Sequence, residues 1–229
     1  MRPIVSVATM RESDAYTIAN LVPSKELMYR AAMGVYQAVA WKGRVGILTG
    51  SGNNGGDGYA LACILADRGI PCQVLRVSEK FSEDGRYYYE KAAEKGVPIT
   101  LFAPEDSLEG FDLLVDCMLG TGFSGTPQGL FQQAIEAINT SGAYVVSVDI
   151  NSGMNGDSGE GALVVHADLT VTIGFLKTGF FQGDSRRHID ALTVVDIGIQ
   201  LLRADGYLEE TQGLPFPLNS ISLEEVTGD

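Results

Sequence analysis

The chain has 229 residues, 45% hydrophobic and 20% charged, a balance that excludes a mostly disordered protein and allows one large domain with a buried core. Sixteen Lys and Arg against 29 Asp and Glu leave a net charge of −13, which sets aside nucleic acid and anionic membranes as partners. Cys63, Cys72 and Cys117 lack CxxC spacing and lie in apolar runs, as buried free thiols in a reducing cytoplasm would; no run approaches the ~18 apolar residues of a membrane span, and the N-terminal one is too short for a signal peptide.

Thr9 with Glu12 forms a capping-box pattern that predicts a first helix over 10–20. Pro23 breaks the chain, and Ser24 can cap a second helix. There Leu27, Met28, Ala31, Val35 and Val39 keep helical spacing until Gly43 stops it. Strand and helix then alternate. Strands are predicted at 44–49, 71–77, 98–102, 112–117, 144–149, 168–173 and 192–196. Helices are predicted at 57–68, 82–95 and 126–139, the last opened by Thr126 and Pro127. Residues 59–66 are apolar throughout, the mark of a helix buried on more than one face. This alternation implies an α/β fold, a mainly parallel sheet with helices on both faces. From Leu201 the pattern fades. Residues 214–218 read as an extended linker or docking arm, and 203–229 carry six acids against one base.

Ligands of an open parallel sheet bind beyond the carboxyl ends of its strands. Four predicted strands lead there into glycine with polar or charged groups: Gly50–Gly58, Asp116 with Gly120–Thr126, Asp149–Gly153 and Gly174–Lys177. Gly50, Gly52 and Gly55 match G-x-G-x-x-G, either a tight turn built on glycine or a dinucleotide fingerprint. Asp57 argues against the fingerprint, because a carboxylate at a helix start competes with phosphate. Loop 120–126 has three glycines, hydroxyls at Thr121, Ser124 and Thr126, and no acid; leading into a helix at Pro127, it is the better phosphate site. Asp116 and Asp149 either cap turns or, with Asn54 and Ser152, offer carboxylate, amide and hydroxyl oxygens to a hard cation. Lys177 is either a solvated side chain or a charge facing this cleft. His166 and His188 have no metal spacing and are read as structural.

Gly52-Asn-Asn-Gly-Gly-Asp-Gly58, Val115-Asp-Cys-Met-Leu-Gly-Thr-Gly122, Val148-Asp-Ile-Asn-Ser-Gly153 and Lys177 resemble, in order, the blocks of the YjeF N-terminal domain family, whose enzymes are NAD(P)H-hydrate epimerases. The resemblance spans roughly residues 5–200. It implies a Rossmann-like three-layer sandwich, a cytoplasmic homodimer, and repair of hydrated NADH and NADPH by interconversion of their R and S forms. It further implies a substrate-binding loop of Asn53, Asn54, Gly55, Gly56 and Asp57. A second, phosphate-proximal loop would be Gly120, Thr121, Gly122, Phe123, Ser124, Gly125 and Thr126. Asp149 would contact substrate, and Asn54, Asp116 and Ser152 would hold one K⁺ per subunit. On that chemistry Asp149 is the candidate acid/base and Lys177 its assistant.

Many bacterial members continue into an ADP/ATP-dependent NAD(P)H-hydrate dehydratase domain, so a dehydratase is the implied functional partner. The resemblance divides the chain into an epimerase domain, 1–202, and an acidic tail or linker, 203–229. The chain departs from the family pattern at Arg30 and Ala32, and at Asn151, where the family usually has proline; the change frees φ and is expected to loosen the turn between Asp149 and Ser152. Two other functions fit parts of the pattern. One is a non-catalytic nucleotide-binding or scaffold module of the same fold. The other is an NAD-dependent dehydrogenase with Glu79 as its ribose-binding acid.

Overall fold

The computed structural model describes residues 1–103, 108–209 and 216–228. A short strand, Arg2–Val5 (β1), leads into the helices Val7–Asn20 (α1) and Ser24–Ala38 (α2). The chain then alternates through Val45–Thr49 (β2), Asn53–Asp67 (α3), Cys72–Arg76 (β3), Glu83–Glu94 (α4), Ile99–Leu101 (β4), Leu113–Cys117 (β5), Leu130–Thr140 (α5), Tyr144–Val148 (β6) and Leu169–Ile173 (β7). Leu176–Lys177 (β8), Leu192–Val195 (β9), Gly206–Leu208 (β10), Leu218–Ile221 (β11) and the short helix Leu223–Thr227 (α6) follow. Eight strands pair in the order β11-β9-β7-β6-β5-β2-β3-β4, every neighbour parallel, and β10-β1-β8 form a separate small sheet. This is the α/β, Rossmann-like architecture expected, and the seven predicted strands all occur, each within a residue of its predicted ends.

The sheet is covered on both faces, and side-chain alternation decides which residue serves which face. Val45 and Ile47 of β2 and Leu113, Val115 and Cys117 of β5 join one apolar cluster with α2, α3 and α4. Leu48 and Leu114 join a second cluster with Ala134, Ile135 and Ile138 of α5. The all-apolar run in α3 is buried from Gly58 through Leu65, because this helix packs on the sheet and between α2 and α4 at once. No helix among the described residues is long and apolar enough to cross a membrane.

Four expectations are corrected. The cap of α1 is Ser6, whose hydroxyl accepts from Thr9 N–H at 3.2 Å, so the helix begins before the Thr9–Glu12 box. The α3 helix begins at Asn53, so the Asn-Asn-Gly-Gly-Asp string is its first turn. The α5 helix begins at Leu130 after Gly129 at φ +61°, not at Pro127. The described part of 203–229 is no free tail: β10 pairs with β1, β11 extends the main sheet beside β9, and Val226 of α6 is buried in the cluster shared with α2. The expected extended arm at 214–218 lies partly outside the described residues; its Pro217 carbonyl accepts from Leu192 N–H.

Candidate active site

The carboxyl ends of β2, β5, β6 and β7 open into a cleft of about 470 Å³. The α1 helix supplies one wall, through Met10, Arg11, Asp14 and Ile18. The turn into α3 supplies Ser51–Asn54 and Asp57, the loop after β5 supplies Met118–Phe123, and Asp149 and Ile173 come from the ends of β6 and β7. Two of the three glycines of the G-x-G-x-x-G string, Gly50 and Gly55, serve the protein's own packing, whereas Gly52 has open space around it. A Cβ on Gly50 would lie 1.9 Å from the Met118 carbonyl oxygen, and one on Gly55 would lie 2.2 Å from that of Gly50. Glycine there lets the β2 and β5 loops close on each other. Glu79, the ribose acid of the dehydrogenase reading, is exposed and lines no part of the cleft.

Asp149 is the one non-glycine residue with positive φ among the described residues, at 67°. Aspartate tolerates this region better than most side chains, and such conformations persist where the surroundings hold them. Here the Asp149 N–H donates to Val171 O at 2.8 Å, and Oδ1 accepts from Lys177 Nζ at 2.5 Å. Lys177 is neither a solvated side chain nor a charge open to the cleft. It is instead fully buried behind Asp149, and its ammonium also donates to Thr172 Oγ1 at 2.8 Å and Ile173 O at 2.7 Å. Three acceptors match its three donors, which is what keeps a buried ammonium tolerable. Oδ2 of Asp149 is left for the cleft.

Two further carboxyl groups share this space. Burial raises the Asp57 carboxyl well above the usual aspartate range, and the charges of Asp149 and Asp14 push it further, against the pull of Lys177. Asp14 is raised by burial and then by Asp149. Asp14 is absent from the residues picked out by sequence. Its signal was an acid at the spacing of Met10 and Ile18, on the face α1 turns to the cleft.

Asn54, Asp116 and Ser152 meet in one buried network. Asp116 accepts from Ser152 Oγ at 2.5 Å, Ser152 N–H at 2.9 Å, Ser147 Oγ at 2.9 Å and Met118 N–H at 3.2 Å. Burial still raises its carboxyl, with these bonds opposing. Ser152 Oγ accepts from Leu119 N–H at 2.9 Å, and Asn54 Nδ2 donates to Leu119 O at 3.2 Å. Asn54 Oδ1 is buried with no hydrogen-bond partner, and such an orphaned acceptor calls for a ligand. Among the described residues no group of three or more His, Cys, Asp or Glu is arranged around a metal; the oxygens here are of mixed type.

Asn151, expected to loosen its turn, bonds across to three neighbouring segments. Fully buried, its Nδ2 donates to Val165 O at 2.9 Å and His188 O at 2.8 Å, and its Oδ1 accepts from Thr170 Oγ1 at 2.7 Å. The loop after β5 divides: Gly120, Thr121, Gly122 and Phe123 line the cleft, whereas Ser124, Gly125 and Thr126 are exposed outside it. Within the first turn of α3, Asn53, Asn54 and Asp57 line the cleft; Gly55 and Gly56 are buried beneath them.

Residues 24–179 match the family described as YjeF-related protein N-terminus. The chain is 36% identical over 195 residues to the NAD(P)H-hydrate epimerase of Oenococcus oeni, covering 81% of this chain and 92% of that one. It is 36% identical over 176 residues to the bifunctional NAD(P)H-hydrate repair enzyme Nnr of Archaeoglobus fulgidus, covering 76% of this chain and 37% of that one. The crystal structure of the yeast protein ynu0 shares the fold with a TM-score of 0.74 at 21% identity, over 91% of this chain and 97% of that one.

Proposed function

The chain belongs to the YjeF-related N-terminal family, and we infer that it is an NAD(P)H-hydrate epimerase, an isomerase that interconverts the R and S forms of hydrated NADH and NADPH. One observation carries the residue assignment: Asp149, held at φ +67° with Lys177 on Oδ1, lines the same cleft as Asp57, whose carboxyl burial raises well above the usual aspartate range.

The substrate is a hemiaminal, with its hydroxyl on the carbon next to the ring nitrogen. Inversion breaks the C–O bond and re-forms it on the other face, which needs a proton for the leaving oxygen and a base for the returning water. Asp57 protonates the hydroxyl, water departs and leaves the ring cation, and Asp149 Oδ2 takes a proton from water as it adds to the opposite face. The pair ends with its proton moved to the other carboxyl, ready for the reverse direction. Lys177 touches no substrate. It is a positioning residue that fixes the Asp149 rotamer and offsets its charge. Asn53, Asn54 and the 120–123 loop hold the substrate between them.

Asn54 Oδ1, the Leu119 carbonyl, the Ser152 hydroxyl and the Asp116 carboxylate fit one K⁺ per subunit, the unpartnered amide oxygen being the supporting observation. Bound there, K⁺ supplies fixed positive charge between the two loops. The S form then passes to an ADP/ATP-dependent dehydratase. The working unit is a homodimer, which sedimentation tests.

The test mixes R-form NADH hydrate with an S-specific dehydratase and follows NADH absorbance. NADH recovery above the spontaneous rate is expected, lost in Asp149→Asn with the circular dichroism spectrum unchanged. Full activity in that variant overturns the role of Asp149, and no acceleration by the parent protein overturns the epimerase reading.

A further inference from the structure

A hydrated dinucleotide brings a pyrophosphate, and in its NADPH form a 2′-phosphate, into a cleft whose ionisable lining is mostly acidic. Asp14, Asp57, Asp84 and Asp149 all border it. Lys177 is fully buried behind Asp149 and committed to three acceptors. The starts of α2 and α3 border the cleft at Ser24 and at Gly52–Asn54 with no side-chain cap, though Glu26 and Asp57 stand within or just beyond their first turns. At the start of α1, Ser6 N–H donates to Asp205 Oδ2 at 2.6 Å and Val7 N–H to Asp157 Oδ1 at 2.7 Å, so carboxylates of the chain already fill that terminus. The α5 helix starts at Leu130, which does not border the cleft.

One basic side chain borders the cleft among the described residues: Arg11, exposed on α1 and making no ion pair or side-chain hydrogen bond with any described residue. Its position is specific. The point where Gly156 would carry a Cβ lies 2.6 Å from Val7 Cγ2 and 3.7 Å from Thr121 Cγ2, so the first turn of α1 abuts the 120–123 loop. Arg11 stands one turn further on, four residues from Val7 on the same face, and long helical side chains lean back toward the N-terminus. Arg11 thus stands on the α1 face that borders the cleft, near the 120–123 loop.

We propose that Arg11 is the specificity-determining cation of this site, binding a phosphate group of the substrate's nucleotide through its planar fork of N–H donors. The proposal rests on the epimerase reading and extends it to a residue outside the glycine and aspartate blocks. A fork-shaped donor in a cleft whose other ionisable lining is acidic favours an anion where Arg11 stands.

The experiment measures KM and kcat for hydrated NADH and hydrated NADPH in the parent protein, Arg11→Ala, Arg11→Glu and Arg11→Lys, with ADP-ribose binding by calorimetry as a readout independent of turnover. Loss of one exposed charge-assisted contact should raise KM roughly tenfold in Arg11→Ala and more in Arg11→Glu. Lysine should restore only part, and kcat should stay within about twofold. Equal KM changes for both substrates, with weakened ADP-ribose binding, assign the pyrophosphate; a change confined to hydrated NADPH assigns the 2′-phosphate. Unchanged KM for both substrates and unchanged ADP-ribose affinity in Arg11→Glu overturn the proposal. An inactive parent protein whose ADP-ribose binding still depends on Arg11 sinks the epimerase reading and leaves the phosphate site standing.

Discussion

Replacing Asn151 tests whether the active-site turn is fastened from behind. In Asn151→Ala three buried hydrogen bonds go at once, but their partners fare differently. His188 O keeps the Ala167 N–H at 2.9 Å. Val165 O and Thr170 Oγ1 keep no other described partner. Two orphaned polar groups at ~1–3 kcal/mol each, plus about 1 kcal/mol for the bond to His188, give a cost of roughly 3–7 kcal/mol. That is a large share of the ~5–15 kcal/mol stability of a typical protein, and it corresponds to a Tm drop of roughly 6–28 °C for a chain of this size. Since Asn151 lies between Asp149 and Ser152, kcat should fall more than KM rises. Asn151→Pro, which inserts the residue usual in the family, restores a fixed φ but leaves the same two groups unpaired, so it should not recover the parent's stability. Paired thermal and urea melts with steady-state kinetics decide the matter. A variant within about 1 kcal/mol of the parent, with unchanged kcat, refutes the idea that this side chain holds the turn.

Lys177→Met removes the buried partner of Asp149 and should cost about 3–5 kcal/mol and nearly all activity, whereas a loss of activity with no change in the urea midpoint would show that Lys177 does not hold the carboxylate. The Asp57 carboxyl is raised in the folded state, so the unfolded chain gives up that proton first; the stabilising effect of protonation is complete below about pH 3.8 and is lost as pH rises through the folded value. Asp57→Asn should therefore match the parent in Tm near pH 4 and exceed it at pH 8, while lacking turnover. Equal pH dependence of the two melting curves would contradict that. Depleting K⁺ should lower activity and Tm in the parent and do neither in Asn54→Leu, which has no amide oxygen to offer; an equal response of both proteins would exclude Asn54 as a ligand. Truncation after Arg203 removes Leu208, Phe216, Ile221 and Val226, all buried, at ~1.5–3 kcal/mol each, and bares the edge of β9; insoluble protein is expected, and a monodisperse active one would show that the tail is dispensable.

The parallel strands were legible because such strands are buried on both faces and carry few charged residues: Leu113–Cys117, apolar but for Asp116, and Leu169–Ile173, where Thr alternates with apolar residues, are buried at every position. The tail was not. The β11 strand is Leu-Asn-Ser-Ile at a sheet edge, with Asn219 and Ser220 exposed, and β10 has three residues; neither is long enough to show a period. Helix starts were missed where the decisive group lay outside the local motif, as with Ser6 and with Gly129 at φ +61°. In the site, Asn54, Asp116, Asp149 and Ser152 could be named because each lies at or shortly beyond the carboxyl end of a buried strand: Asp116 within β5, Asp149 directly after β6, and Ser152 and Asn54 a few residues past β6 and β2. The direction of Lys177 could not, since β8 has two residues and its orientation depends on pairing with β1 far back in the chain.

Asp14 and Arg11 were hidden for a related reason. They border the cleft only because α1 is tied down by residues distant in sequence: Gln200 N–H donates to Thr17 Oγ1 at 2.9 Å, Leu202 N–H to Ser13 Oγ at 3.3 Å, and Asp205 receives the Ser6 N–H. Both ends of this tether lie outside the 24–179 stretch that matches the family. The matched stretch carries Asn54, Asp57, Asp116, Asp149 and Ser152. The α1 wall of the cleft is held in place by bonds between residues 6–17 and 200–205. Changes in 200–205 should therefore alter KM, through the seating of Arg11 and Asp14, without touching a residue of the acid/base pair.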